Sequence, residues 1–490
     1  MMQSKKEITA ASQWSVPGPR PLPLIGRMLN SLQFAQDSIG YSSQLFQEYG
    51  SVASLAAGGG TNLYSSDAHC PGSVVAYGPE VVRQVTLQHN IYHKHPLTGR
   101  LYRLKDASPR TEPLRRFTVG LFGVNEDTHL QHRKLMMPAF HQQKINSYRN
   151  AMVAIVQSEL NRVSRNQVLE LNQFMQRLTL RIATKTLFGE DIETTDLTAG
   201  EILQQILNRR ATGLTLDIPG LSFHQYLNLL AQFEEKIRKI IADKRTTDED
   251  DLLSMLLQAR DEDSGLTLTE DEIIGHTGVI FAAGHETTAN ALTWLFFLLS
   301  QHPSVAADLV DELSILNGAP PSVEQLQHLP LLERAIKEAM RVLPSVPWNG
   351  RVVAQATELE GYPLAKGTEV FVSIYHTHHL STIYADPQSF KPERWETITP
   401  NNYEYNPFSA GPRTCIGAAF AMMEIKLVVA MMLQRFRLEF LPQRPVVRSG
   451  FISIKPKFGL PMMVHQQDRQ FHRGVGGVTG NIREMVDLPQ

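Results

Sequence analysis

Between residues 126 and 342 the chain carries one helix-like apolar pattern after another, and this tract decides the class of fold. The segments 126–163, 168–189, 199–211, 223–245, 249–259, 269–301, 303–316 and 322–342 each repeat apolar side chains at helical spacing. A further segment of this kind, 417–436, lies near the end. Faces of this sort must bury against one another, so the expected fold is mainly α. Strand-like composition is confined to a Gly-, Ser-, Val- and Ala-rich stretch from 51 to about 82, to the β-branched runs of 351–375, and to short pieces after 436. These predict small sheets beside a large helical body. No internal repeat is visible, and no glycine-rich dinucleotide fingerprint follows a strand.

A chain of 490 residues can bury a large core. The reading is one large domain over 27–465, preceded by a Pro-rich lead-in (1–26) and followed by a polar, Gly-rich tail (466–490) expected to be flexible. A formal charge of −2 argues against nucleic acid as a partner. The only cysteines, Cys70 and Cys415, exclude a disulfide scaffold and a cysteine-rich zinc site, and fit a reducing cytoplasm. The most membrane-like run, Ala291–Leu299, is too short to span a bilayer and is bracketed by polar residues. A soluble, cytoplasmic monomer without a transmembrane anchor is therefore expected.

Two segments carry chemistry. The first is Phe408-Ser-Ala-Gly411-Pro-Arg413-Thr-Cys415-Ile-Gly417. Gly411 and Gly417 flank the cysteine without side chains, which lets backbone approach a flat ligand. Cys415 sits just before the helical run AAFAMMEIKLVVAMMLQRF, whose positive end favours a thiolate. Arg413 supplies a cation for an anionic cofactor edge. The second segment is Ala283-Gly284-His285-Glu286-Thr287-Thr288, inside a helix that Thr269 and Glu272 open as a capping box. A glycine and adjacent ionisable and hydroxyl groups within an apolar helix need a reason. A carboxylate beside a hydroxyl can pass protons through water.

The cysteine segment resembles the haem-binding loop of cytochromes P450, a spaced pattern of Phe, Gly, Arg, Cys and Gly; the helix segment is similar to that family's distal motif. The likeness embraces roughly residues 15–465. It implies the P450 fold, haem b with Cys415 as the sulfur ligand to iron, and a monooxygenase using O2 and two electrons. Gly284 and Ala283 would leave room beside the haem, with Glu286 and Thr287 as the proton relay and His285 structural. His129, Arg133, Arg351 and Arg413 would hold the haem propionates. Glu338, Arg341 and Arg394 would form a buried triad bracing the cysteine loop.

By the same resemblance the substrate pocket is lined by Phe117, Leu121, Ala283, Val346 and Phe451, with Leu214 and Leu216 in a lid over 208–226. These imply an apolar small molecule, fatty acid-like or a terpenoid or polyketide, hydroxylated or epoxidised. A separate electron donor such as a ferredoxin or flavodoxin with its reductase is implied, docking on Lys134, Arg334, Lys337 and Lys426. Two rivals belong to other classes. A haem-thiolate gas sensor would need no proton relay, and a metal hydrolase would use His376, His378 and His379.

Overall fold

The computed structural model describes residues 14–22, 26–65, 70–95, 108–118, 120–190, 198–208, 216–246, 251–450 and 452–490. Its central element is the helix Glu270–Gln301, 32 residues long. The expected capping box opens it: the Thr269 hydroxyl accepts from the Glu272 amide, and the Glu272 carboxylate accepts from the Thr269 amide. From Thr288 to Gln301 every residue is buried, so protein surrounds this half on all faces. Leu171–Phe188 packs along it most extensively, and Pro330–Val342 and Ala418–Arg435 close its other sides. About 53% of the chain is helical, as the apolar periodicity requires.

Three of the expected helices start or divide differently, each for a local reason. The pattern over 126–163 is cut by Pro138, which lacks an amide donor. One helix ends at Met136, a 3-10 turn spans Met137–Phe140, and a second helix runs Gln142–Asn161. Pro330 likewise separates Val323–Gln327 from Pro330–Val342. Residues Val168–Glu170 form a strand before the helix Leu171–Phe188, because a sheet edge at Pro461–Gln466 takes up their backbone groups.

Parts of the strand-like stretches 51–82 and 351–375 meet in one five-stranded sheet. Its order is Val52–Ser54, Ser73–Ala76, Glu369–Ser373, Trp348–Val353 and Tyr92–His93. Only the pair Ser73–Ala76 with Glu369–Ser373 is parallel, with Val74 opposite Val370. A smaller sheet joins Val168–Glu170, Pro461–Gln466 and Phe436–Phe440. Among the described residues, no helix is long and apolar enough to cross a membrane.

The tail corrects the expectation. Residues 466–490 are not a loose appendage: Phe471, Val478, Ile482, Met485, Val486 and Leu488 are buried in the main core. Glycines at positive φ (Gly474, Gly476, Gly477, Gly480) let this segment fold tightly over the protein, which polar composition alone disguises. Arg448 fastens it, pairing with Glu484 at 2.6 Å and with Asp37 at 2.7 Å.

Candidate active site

Cys415 precedes the helix Ala418–Arg435, with Gly417 as its N-cap residue. The loop before it is held by its own backbone: the Cys415 amide donates to the Phe408 carbonyl at 2.8 Å, and the Thr414 amide to the Gly411 carbonyl. Gly411 has φ 66°, and a Cβ there would lie 2.8 Å from the Thr86 carbonyl oxygen, so only glycine fits. Gly417 differs: its nearest protein neighbour to a Cβ is Phe140 at 3.9 Å, which leaves space beside it. Cys415 is exposed by surface area. Surrounding protein nonetheless buries it enough to push its thiol up, while the Gly417 amide and the Lys94 and Arg133 charges pull it down. The sulfur is thus accessible at its surface yet has protein on several sides.

Cations gather near that sulfur without anions to meet them. Arg413 donates to the carbonyls of Leu121 and Val124 and to Asn125 Oδ1. Arg133 donates to the Thr414 carbonyl at 2.7 Å. Arg351 is 1% exposed, bonds Asn349 and Gly350, and leaves Nη2 without a partner. Lys94 lies over the Phe122 ring. Among the described residues, none of these four is in an ion pair. Burial and their mutual repulsion push Lys94 down to about 7 and Arg413 down to about 9. Buried His129, whose Nδ1 is also unpartnered, is driven down to about 3 by burial and by Arg413 and Arg133. Charges this costly persist only where an anion belongs.

In the long helix, Gly284 is exposed and a Cβ on it would meet no protein atom within 4 Å. Open space therefore lies beside the helix there, at the one exposed position of the element. Thr287 and Thr288 turn their hydroxyls back to the carbonyls of Ala283 and Gly284, at 2.7 and 2.8 Å. Glu286 pairs with Lys455 at 2.9 Å. His285 is buried, bonds the Phe281 carbonyl through Nδ1, and is kept neutral by burial.

The Cytochrome P450 family model matches residues 16–460. The chain belongs to the cytochrome P450 family. It is 31% identical to pentalenene oxygenase of Streptomyces avermitilis over 75% of this chain and 82% of that one. Similarity to cyclooctatin synthase of Streptomyces melanosporofaciens is 30%, covering 74% and 80%. Abscisic acid 8'-hydroxylase 2 of Arabidopsis thaliana is 27% identical over 91% and 89%. Among solved structures, the retinoic acid-bound cyanobacterial CYP120A1 superposes with a TM-score of 0.76 at 24% identity, over 93% of this chain and all of its own. The protein is a monooxygenase, and haem is its cofactor.

The residues present fit a haem. An accessible thiol, side-chain-free positions at Gly284 and Gly417, and buried cations lacking an acid match a flat group with a metal and two carboxylates. Lys94 was missing from the sequence-based set. Its only signal there was a lone lysine in the YHKH run, with nothing in the spacing to join it to Arg413.

The brace is fully assembled. Glu338 and Arg341 are both 0% exposed and bidentate at 2.8 and 2.9 Å; Arg394 reaches the same carboxylate at 2.8 Å. Trp395 Nε1 and the Lys391 amide complete its acceptor sites. The connection to the cysteine loop runs through His378, whose backbone carbonyl takes Arg341 and whose Nε2 accepts from the Asn406 amide. The Ser409 amide then donates to the Asn406 carbonyl, and Ser409 Oγ accepts from Asn349. The triad and Ser409, in the cysteine loop, are thus joined by that chain.

His376, His378 and His379 have separate work. His376 lies between Ser373 and Ser43, and His379 Nδ1 meets the Tyr375 carbonyl. Burial pushes His376 and His378 down to about 3, as it does His276 against His132. Each is neutral when folded and would take a proton when unfolded near pH 6.5. Their contribution to stability is thus complete above about pH 6.5 and is lost as pH falls toward 3. Through these three histidines the urea midpoint should decline steadily as pH falls below that value.

Of the expected pocket residues, Phe117 packs on Gly278, Leu121 is buried beneath Arg413, and Val346 and Ala283 are half-buried. Leu216 is exposed, while Phe451 and Leu214 lie outside the described residues. The expected basic docking face is not basic. Lys134 pairs with Asp261 and Asp263, Arg334 with Glu396, and Lys337 and Lys426 share Glu333. Helical spacing in the sequence did not reveal these acids because most come from other segments.

Proposed function

We propose that this P450 hydroxylates or epoxidises an apolar molecule of terpenoid kind, with Cys415 holding the haem iron. The observation that carries the assignment of the site is the set of unpaired buried cations gathered about an accessible cysteine. Arg133, Arg351, Arg413 and His129, with Lys94 added, bind the propionates; Gly411 and Gly417 let the cysteine loop lie close. Bound haem supplies the binding and activation of O2. Gly284 leaves room on the long helix for oxygen and substrate. Thr287 holds its hydroxyl at the cavity side, and Glu286 brings protons in from solvent. Phe117, Leu121, Ala283 and Val346 exclude water and orient the substrate by shape.

Relatives that act on terpenoids and hormones favour a compact carbocycle over a fatty acid. None of the expected pocket residues is charged, which agrees. A ferredoxin or flavodoxin with its reductase supplies electrons to a cytoplasmic monomer. The non-enzymatic sensor reading loses ground to the acid–alcohol pair and to relatives named as oxygenases.

The reduced, CO-bound absorption spectrum tests the site: wild type shows thiolate ligation and Cys415→Ala loses it, whereas a colourless protein would end the proposal. Thr287→Ala is expected to keep that spectrum. Its product formation should fall by about 10²-fold, at the low end of positioned proton transfer, with oxygen diverted to peroxide. Tight coupling in that variant would remove Thr287 from the relay.

A further inference from the structure

The hairpin that carries the expected pocket residue Phe451 in its turn is too short to hold itself. Its strands, Arg448–Ser449 and Lys455–Pro456, pair over two residues each. Even longer two-stranded hairpins are marginal alone in water. The place of this one in the protein is therefore set by what grips it on either side.

On the inner side the site grips it. Asn290 of the long helix donates through Nδ2 to Ser453 Oγ at 2.7 Å, and Trp294 Nε1, one turn on, donates to the Ile454 carbonyl at 3.0 Å. The Ile454 amide donates to the Ser345 carbonyl at 2.8 Å, next to Val346, another expected pocket residue. All three bonds are between neutral groups.

On the outer side the tail grips it, in the manner of a third strand. The Val446 amide donates to the Thr479 carbonyl at 2.7 Å, and the Ile482 amide donates to the Val446 carbonyl at 3.3 Å. The Arg448 amide donates to Asn481 Oδ1 at 2.9 Å, so a side-chain carbonyl stands where a neighbouring strand would offer a backbone one. Gly480 allows this approach: its φ is 102°, and a Cβ there would collide with the Val446 carbonyl. The buried Arg448 guanidinium closes the joint, donating to the Asn481 carbonyl and pairing with Glu484 and Asp37. Hydrogen bonds to ionised groups are roughly twice as strong as neutral ones, so the outer grip is the firmer. It comes from a segment beyond residues 16–460, the stretch that matches the family model.

We propose that Asn481 and Glu484 are positioning residues for the substrate. Acting through Arg448, they set how far the turn at 450–453 stands into the pocket wall, and hence the length of apolar molecule that the site admits. This rests on the reading of the Phe451 turn as a pocket wall.

The test titrates full-length holoenzyme with imidazole, 4-phenylimidazole and 1-dodecylimidazole, each read by the Soret shift as its nitrogen reaches the haem iron. Imidazole is too small to meet the wall and calibrates access to the iron; the two larger probes sense the wall. Asn481→Ala should raise the affinity for 1-dodecylimidazole relative to imidazole by about five- to tenfold, the worth of one lost hydrogen bond, because a released wall yields to the longer probe. Asn481→Asp keeps the acceptor oxygen and should restore the wild-type ratio. Ser453→Ala, on the inner grip, should raise the ratio as well, and the two changes together should be non-additive because both release one hairpin. Glu484→Gln carries the same test should Asn481→Ala fail to load haem. A merely structural tail would lower the urea midpoint in Asn481→Ala and leave the ratio unchanged. That result, or a lowered ratio, with Ser453→Ala still raising it, overturns the proposal and leaves the pocket wall in place. An unchanged ratio in Ser453→Ala as well would remove the turn from the pocket, and the positioning role with it.

Discussion

Glu338→Gln is expected to lower the unfolding free energy by about 3–5 kcal/mol, the penalty for leaving buried charge unpaired. The carboxylate takes Arg341 twice, Arg394, Trp395 Nε1 and the Lys391 amide, and it is 0% exposed. Glutamine keeps the shape but offers one acceptor oxygen and two donors where five donors converge. Two guanidinium groups then remain buried with carbonyls as their principal acceptors. The damage should travel, because Arg341 also holds the His378 and Pro387 carbonyls and His378 positions Asn406 below the cysteine loop. Haem retention should fall along with stability. Guanidinium denaturation and the ratio of haem to protein after gel filtration measure both. A midpoint within experimental error of wild type, with full haem content, would show that the brace contributes nothing.

What could be read from the residues alone follows the range over which the physics acts. The capping box at Thr269 and Glu272 is local and was visible, as was the helix ahead of which Cys415 sits. Glu338 and Arg341 were visible as neighbours on one helix face, but their joining with Arg394 came only through resemblance, since folding brings it across the chain. Lys455 on Glu286, Lys94 beside Arg413, and Lys426 on Glu333 are contacts between distant segments with no spacing rule. Pro138 and Pro330 did advertise helix breaks, and apolar periodicity running through them concealed the signal.

Deleting residues 471–490 should cost more than any of the point substitutions, for a reason composition hides. The segment is polar on average, yet Ile482, Met485 and Val486 are 0% exposed and Val478 3%. At roughly 1.5–3 kcal/mol for each fully buried aliphatic side chain, these four alone rival the ~5–15 kcal/mol by which a domain is stable. The area-based figure is an upper bound, because an unfolded chain already hides part of its surface. The deletion also strips Glu484 from Arg448 and bares core side chains beneath, including Phe440 and Val446. The truncated chain is therefore expected to aggregate or to purify without haem. A gentler variant separates packing from chain length: Met485→Ala should cost about 2–5 kcal/mol as a buried cavity. Arg448→Met should cost less, since Asp37 and Glu484 can turn to solvent once it is gone. A soluble, haem-loaded truncation with a wild-type denaturation midpoint would mean that the tail only covers a surface already stable without it.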